Sequence, residues 1–184
     1  MRSAENGCAI LLMAILLTGC GSMLDDLAPS GNDKRPAVVP GTIGSLVGQN
    51  APDFTLPDTL GTSITLSSVI TTTGVQGAVL YFTMWCPVCD THMTNMQSNI
   101  LPVHPDVRFF LVDYVSGSVA DAANAQLINS YSGSGFTVLA DTNQTALNLY
   151  QATMGTTVVI DRMGVVRMNE DFKDGARLQN VLAG

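Results

Sequence analysis

From about Val47 onward the apolar residues fall into short blocks separated by turn-forming residues. Phe54-Thr55-Leu56 and Ser63-Ile64-Thr65-Leu66 flank a turn at Asp58–Gly61 and predict a hairpin. The unbroken run Gly77–Thr83 (G-A-V-L-Y-F-T) predicts a buried strand, as does Val107–Val112 (V-R-F-F-L-V). Between them, residues from Cys86 to about Leu101 predict a helix. Met93, Met96 and Ile100 form its apolar stripe, and Pro102 and Pro105 close it off. Val119–Tyr131 predicts a second helix, Phe136–Ala140 a strand and Thr142–Ala152 a third helix. Thr156–Ile160 (T-T-V-V-I) and Val165–Met168 predict strands that meet antiparallel across the turn Asp161-Arg162-Met163-Gly164, ahead of a short final helix over Gly175–Leu182. Strands separated by helices pair in parallel, and the late hairpin adds an antiparallel edge. The predicted fold class is α/β, a central mixed β-sheet with helices on both faces.

Upstream of Val47 the pattern is different. Met1–Gly7 is short and polar, and Cys8–Leu17 (C-A-I-L-L-M-A-I-L-L) is apolar apart from its thiol. Ten residues are too few to span a bilayer as a helix but fit the apolar core of a signal peptide. The run ends in Leu17-Thr18-Gly19-Cys20, which resembles the bacterial lipobox; the alternative is an ordinary secretory signal with a chance cysteine. The lipobox reading makes residues 1–19 a lipoprotein signal peptide and Cys20 the lipidated first residue of the mature protein. Residues 20–46, with Pro29, Pro36, Pro40 and several Gly and Ser, then form a lipid-anchored flexible tether to a domain spanning 47–184. Acyl chains on Cys20 place that domain in the bacterial cell envelope, facing the periplasm. Gly21 after the anchor favours the outer membrane over the inner.

Charge narrows the partners. The 184 residues carry a formal net charge of −7, with few and scattered basic residues. That excludes the basic footprint a nucleic acid requires, and it argues against electrostatic docking on anionic lipid.

Of the 4 cysteines, Cys8 leaves with the leader and Cys20 becomes the anchor, so Cys86 and Cys89 remain, spaced C-x-x-C. A buried strand delivers them to the first turn of a helix, where unpaired N–H groups and the positive end of the helix dipole stabilise a thiolate. Pro87 suits that turn, since its φ is already helical and its missing N–H has no partner to lose. Cys86 is therefore expected to be exposed and attacking, and Cys89, nearly a turn on, more buried and resolving. Exchange runs through a mixed disulfide on Cys86 that Cys89 releases. The alternatives are a structural disulfide, though so tiny a loop restricts the unfolded chain little, and half a zinc site. Zinc needs two more ligands, and the histidines are His92 and His104. No metal is assigned, and the only redox group expected is the Cys86–Cys89 disulfide itself.

Three segments together resemble the redoxin branch of the thioredoxin-like superfamily, which includes alkyl hydroperoxide reductase, thiol-specific antioxidant and membrane-anchored thiol–disulfide oxidoreductases. Gly48–Pro57 (G-Q-N-A-P-D-F-T-L-P) is similar to the opening of those domains, and Tyr81–Cys89 (Y-F-T-M-W-C-P-V-C) is similar to their W-C-x-x-C. Val158–Val166 (V-V-I-D-R-M-G-V-V) resembles their I-D-x-x-G segment. The resemblance implies a thioredoxin-like fold over roughly 47–184, with Cys86 as nucleophile, Cys89 as resolving thiol and Trp85 as an aromatic wall of the site. It also implies protein disulfides as substrates and an envelope thiol as electron donor or acceptor.

Two positions depart from the family. Its cis-proline, which faces the C-x-x-C and grips substrate, is replaced by Gly155, so the Met154–Gly155 bond is expected to be trans. Met154 and Gly155 then shape a different substrate groove. Gly155→Pro is expected to raise disulfide-reductase activity, unless the backbone has settled into φ values only glycine tolerates. The second departure is the buried carboxylate expected six residues before the first thiol, which here is Leu80, so proton transfer from Cys89 needs water or another group.

Met84, Met93 and Met96 cluster near the thiols, but core packing accounts for the latter two better than copper does. His92 reads as a solvated helix residue rather than a participant in proton transfer. Asp141 and Asp161 are expected to cap turns, and Asp90 to complement the helix dipole. The leading reading is an envelope thiol–disulfide oxidoreductase. The alternatives are a peroxiredoxin-like peroxidase, for which Thr83 is suitably placed but Val79 stands where a proline belongs, and a non-catalytic thioredoxin-like module that binds a partner or Cu(I).

Overall fold

The computed structural model describes residues 37–184; the expected signal peptide, Cys20 and most of the expected tether lie outside the described residues. The elements follow in the order β1 (Thr55–Pro57), β2 (Ser63–Thr65), α1 (Leu66–Ile70), β3 (Gly77–Thr83), α2 (Pro87–Asn99), β4 (Val107–Asp113), α3 (Val119–Ile128), β5 (Thr137–Ala140), α4 (Thr145–Leu149), β6 (Thr156–Asp161), β7 (Val166–Asp171) and α5 (Ala176–Ala183). Five strands form one sheet in the order β5-β4-β3-β6-β7. β3, β4 and β5 run parallel, while β6 and β7 run antiparallel to their neighbours. This is the mixed α/β sheet the hydrophobic pattern implies.

Side chains alternate across β3, and that alternation builds two cores. Ala78, Leu80 and Phe82 face one side with Phe54, Leu66, Ile70 and Tyr150. Val79 and Tyr81 face the other, against Cys89, Met93, Met96, Ile100, Phe172 and Leu178. Helix α2 thus covers the second face with its two buried methionines, as the apolar stripe implies.

Several boundaries differ from expectation. β2 ends at Thr65, and Leu66 instead opens the short helix α1, which the strand reading of Ser63–Leu66 overlooks. Its apolar residues Leu66, Val69 and Ile70 are spaced for a helix, and Asp53 fixes its start by accepting from the Ser67 N–H (2.9 Å) and hydroxyl (2.6 Å). Helix α4 covers only Thr145–Leu149 of the expected 142–152, because Asp141 halts the chain in a turn and accepts from the Thr145 and Leu147 N–H groups. Upstream of Val47 the backbone is already bonded into the domain. Ile43 bridges to Asn50, and the Asn169 amide donates to the Ser45 carbonyl at 2.9 Å. Among the described residues no helix is long and apolar enough to cross a membrane.

Candidate active site

The C-x-x-C lies at the C-terminal end of β3, where the parallel strands β3 and β4 also end. Thr83 closes the strand, Met84 and Trp85 turn the chain, and Cys86 becomes the N-cap of α2 with extended backbone angles. Pro87 occupies the first turn, so no N–H is wasted where none has a helical partner. The Cys86 sulfur accepts the Cys89 N–H at 3.2 Å, as a capping serine oxygen does in other helices. Cys86 is half-buried, whereas Cys89 has no exposure, and the two free sulfurs lie 2.6 Å apart.

Burial pushes the Cys89 thiol upward. Hydrogen bonds from the Cys86 thiol, the Met84 and Cys86 backbone and the Thr83 hydroxyl outweigh it and bring the net shift down. The sheet end therefore already supplies partners for a buried thiolate.

Trp85 adopts a left-handed φ of 59°, a conformation that bulky residues rarely hold. Two bonds fix it: its backbone N–H donates to the Thr83 hydroxyl (3.0 Å), and its indole N–H donates to Asp113 (2.8 Å). Asp113 is fully buried at the end of β4, directly opposite Thr83. It also accepts from the Val115 and Ser116 N–H groups and the Ser116 hydroxyl. This carboxylate holds the wall of the site in shape. Tyr131 packs 6.2 Å from the Trp85 ring and donates to Asp90 at 2.7 Å, and its own ionisation is pushed up to about 12, burial being the first cause.

Gly155 stands where the sequence places it, before β6. All peptide bonds among the described residues are trans, including Met154–Gly155. Gly155 has a φ of 84°, its N–H donates to the Phe82 carbonyl (2.9 Å), and its own carbonyl accepts the Phe172 N–H (2.8 Å). Proline satisfies neither the angle nor the first bond, so the expected gain of activity in Gly155→Pro gives way to destabilisation.

Two further expectations change. His92 is not a solvated residue: its Nδ1 lies 2.9 Å from the Tyr81 hydroxyl, and its ring packs 4.7 Å from Phe172. Burial lowers its pKa from the ordinary 6.5. Leu80, where the family resemblance places a buried carboxylate, faces the sheet side away from Cys89, whereas Tyr81 faces it. The signal that could have found Tyr81 is a phenol in an otherwise apolar buried strand, since a buried hydroxyl requires a partner. Asp161 caps its turn through the Met163 and Val165 N–H groups, as expected. Among the described residues no three His, Cys, Asp or Glu side chains converge to hold a metal.

Comparison with known proteins agrees with this geometry. The model of the AhpC/TSA family matches residues 47–169. No curated protein matches the sequence. Similar solved structures include a putative thiol:disulfide interchange protein DsbE from Chlorobium tepidum, 24% identical with a TM-score of 0.61, covering 74% of this chain and 95% of that one. A putative protein disulfide isomerase from Bacteroides thetaiotaomicron is 24% identical with a TM-score of 0.60 and covers 75% and 88%. Peroxidoxin BcpB from Mycobacterium tuberculosis is 22% identical with a TM-score of 0.58 and covers 74% and 94%. At such identities these three share the fold, thioredoxin-like in each case. The family match spans most of the chain and the whole C-x-x-C end of the sheet, and on that ground the protein belongs to the AhpC/TSA family of thiol oxidoreductases.

Proposed function

We propose that this protein is an envelope thiol–disulfide oxidoreductase that acts on protein disulfides through Cys86 and Cys89. The observation that carries the reading is the asymmetric pair: a half-exposed sulfur capping a helix, 2.6 Å from a fully buried one. In the reducing direction the Cys86 thiolate attacks a substrate disulfide and expels one substrate thiolate. Cys89 then attacks Cys86 Sγ and expels the other. Two electrons pass from the pair to the substrate, and the pair ends as a disulfide. The relative stability of thiolate and disulfide sets the direction, so the reduction potential of the pair assigns it. Met84 and Val88, which flank Cys86 in the chain, are 46% and 52% exposed and offer an apolar rim suited to a polypeptide.

For the envelope location, the support is the lipobox-like Leu17–Cys20, which makes Cys20 the lipid anchor. A mature protein starting at a diacylated Cys20 is the expected mass-spectrometric result, and an unmodified Cys20 removes the anchor.

A peroxidase reading has a named peroxidoxin among the similar structures, but the site gives it little. The Thr83 hydroxyl is engaged by Trp85 and Cys89 rather than Cys86. The described arginines lie elsewhere: Arg108 pairs with Ala78 near the far end of the sheet, Arg162 sits in the β6–β7 turn, Arg167 pairs with Asp161 and Arg177 with Glu170. Insulin reduction by the wild type, lost in Cys86→Ser, is the expected result. Peroxide consumption without insulin reduction favours the peroxidase instead, and reactive thiols that turn over neither substrate favour a binding module.

A further inference from the structure

Residues 37–52 carry no charge in a chain whose net charge is −7, and the first part of this stretch is an ordered loop bonded to the β6–β7 hairpin. The loop keeps its polar groups inward. The Gln49 side chain fills its centre: the side-chain oxygen accepts the Leu46 N–H at 3.0 Å, and the amide donates to the Thr42 hydroxyl at 2.9 Å. That hydroxyl donates to the Val39 carbonyl at 2.6 Å, and the Asn50 side-chain amide donates to the Gly41 carbonyl at 3.0 Å. A Cβ on Gly44 would strike the Gln49 amide, so glycine is what admits this side chain. Ser45 is buried, and its carbonyl accepts from the Asn169 amide.

The apolar side chains are left outside. Val38, Val39, Ile43, Leu46 and Val47 are all exposed, Ile43 at 76%. Met163, at 73%, sits in the β6–β7 turn, to which the loop is tied by the Ala51 N–H on the Gly164 carbonyl (2.7 Å) and the Gly48 N–H on the Val166 carbonyl (2.9 Å). Such a surface is the reverse of a water-facing loop. Covering it removes apolar area from water and leaves these polar side chains bonded.

We propose that the loop over 38–48, together with Met163, is a foot that rests in the headgroup region of the membrane carrying the Cys20 anchor. This rests on the envelope reading, which supplies the membrane. A lipid surface suits the loop because its polar groups are satisfied within the domain and its outward residues are uncharged. Arg162, exposed beside Met163, can reach a lipid phosphate while Met163 dips beneath it. The foot is also the part of the domain nearest the anchor along the chain. Ala37 stands seventeen positions after Cys20, so the intervening residues span at most about 60 Å. Orientation follows from the sheet. Asp161, at the start of the turn, pairs with Gly77 at the beginning of β3, whereas the thiols follow the far end of that strand, roughly 20 Å away. With the foot on lipid, the C-x-x-C opens to the aqueous side, where protein substrates reach it.

Tryptophan fluorescence tests this, since Trp85 is the only tryptophan and lies at the thiol end. Full-length protein carrying Ile43→Trp is reconstituted on phosphatidylcholine vesicles containing doxyl-labelled phosphatidylcholine, a quencher confined to the lipid. The added emission, taken as the difference from wild type, is expected to shift to the blue and to lose most of its intensity, while Trp85 in the wild type keeps its own. Adding Val47→Asp to the reporter is expected to restore a red, unquenched signal, because a charge opposes entry into the interface. An added indole that stays red and unquenched overturns the proposal, as does quenching that persists with Val47→Asp. Equal quenching of Trp85 overturns the orientation, and with it the foot. A blue shift without quenching also overturns it, because burial is then against a second copy of the chain. Thermal melts accompany the variants, and where Ile43→Trp melts early, Val39→Trp serves as reporter. The intact mass decides the anchor separately. Quenching in a chain with no acyl group on Cys20 sinks the anchor and keeps the foot, and an acylated chain with an unquenched reporter keeps the anchor and sinks the foot.

Discussion

Cys86 lies half open at the head of a helix, while Cys89 is shut beneath it, so substrates meet the first sulfur and only an intramolecular attack brings in the second. Cys89→Ser should therefore accumulate mixed disulfides between Cys86 and envelope proteins, visible as reducible high-mass bands, while Cys86→Ser should yield none. Traps that form only through Cys89 reverse the roles. Gly155 is the other residue whose surroundings dictate an outcome. A Cβ there meets nothing closer than 3.8 Å, so Gly155→Ala suffers only from its φ of 84°, a cost of about 1–2 kcal/mol. Gly155→Pro also forfeits the bond to the Phe82 carbonyl, about 1–3 kcal/mol more. Urea unfolding should rank wild type above alanine above proline. A proline variant as stable as wild type contradicts the left-handed backbone at this position.

Between elements, the loop from β3 to α2 is held by a side chain from β4. Asp113 accepts four hydrogen bonds, from Trp85, Val115 and Ser116, the last through both its N–H and its hydroxyl. Asp113→Asn replaces an acceptor oxygen with a donor facing donors. It should destabilise the domain by about 1–3 kcal/mol, measured by thermal melts, and loosen Trp85, measured as a red shift in its emission. An unchanged emission maximum shows that Trp85 is held by its surroundings without the carboxylate. The elements themselves were largely legible in the sequence. Gly77–Thr83 forms a strand with the expected ends, and Met93 and Met96 are buried on α2 as their spacing implies. The short helices were harder to read. α1 and α4 have five residues each, little more than one turn, and Asp53 and Asp141, both outside the helices, accept from the N–H groups where they begin.

For the whole domain, His92 links stability to pH. Burial depresses its folded pKa below the ordinary 6.5, so the unfolded chain binds the proton more readily. Stability is fully present above about pH 6.5 and falls as pH drops through the lower folded value. His92→Phe should flatten that part of the profile in melts between pH 7.5 and 5, and an identical slope in the variant assigns the dependence to other groups. The same packing sets one of the two family departures, Gly155, beside that histidine, while the other, Leu80, lies on the opposite face of the sheet. The tertiary fold puts Gly155, His92 and Phe172 together at the sheet end that holds the thiols, and Tyr81 joins them from β3.

The placement of the thiols was readable from local sequence because it is local: Cys86, Pro87 and Cys89 lie within one helical turn, and a strand that ends just before them fixes their exposure. The α/β class was readable for a similar reason, since the largely apolar runs G-A-V-L-Y-F-T and V-R-F-F-L-V declare buried strands wherever they pair. The pairing of Tyr81 with His92 was not readable. They are eleven residues apart, on a strand and a helix, and only the packing of α2 on one face of the sheet brings hydroxyl and imidazole to 2.9 Å. Asp113 reaches Trp85 across twenty-eight residues by the same means. The backbone angle of Gly155 was likewise decided by structure alone, because it follows from simultaneous hydrogen bonds to β3 and to the residue after β7, and no local preference of Met154-Gly155-Thr156 specifies those.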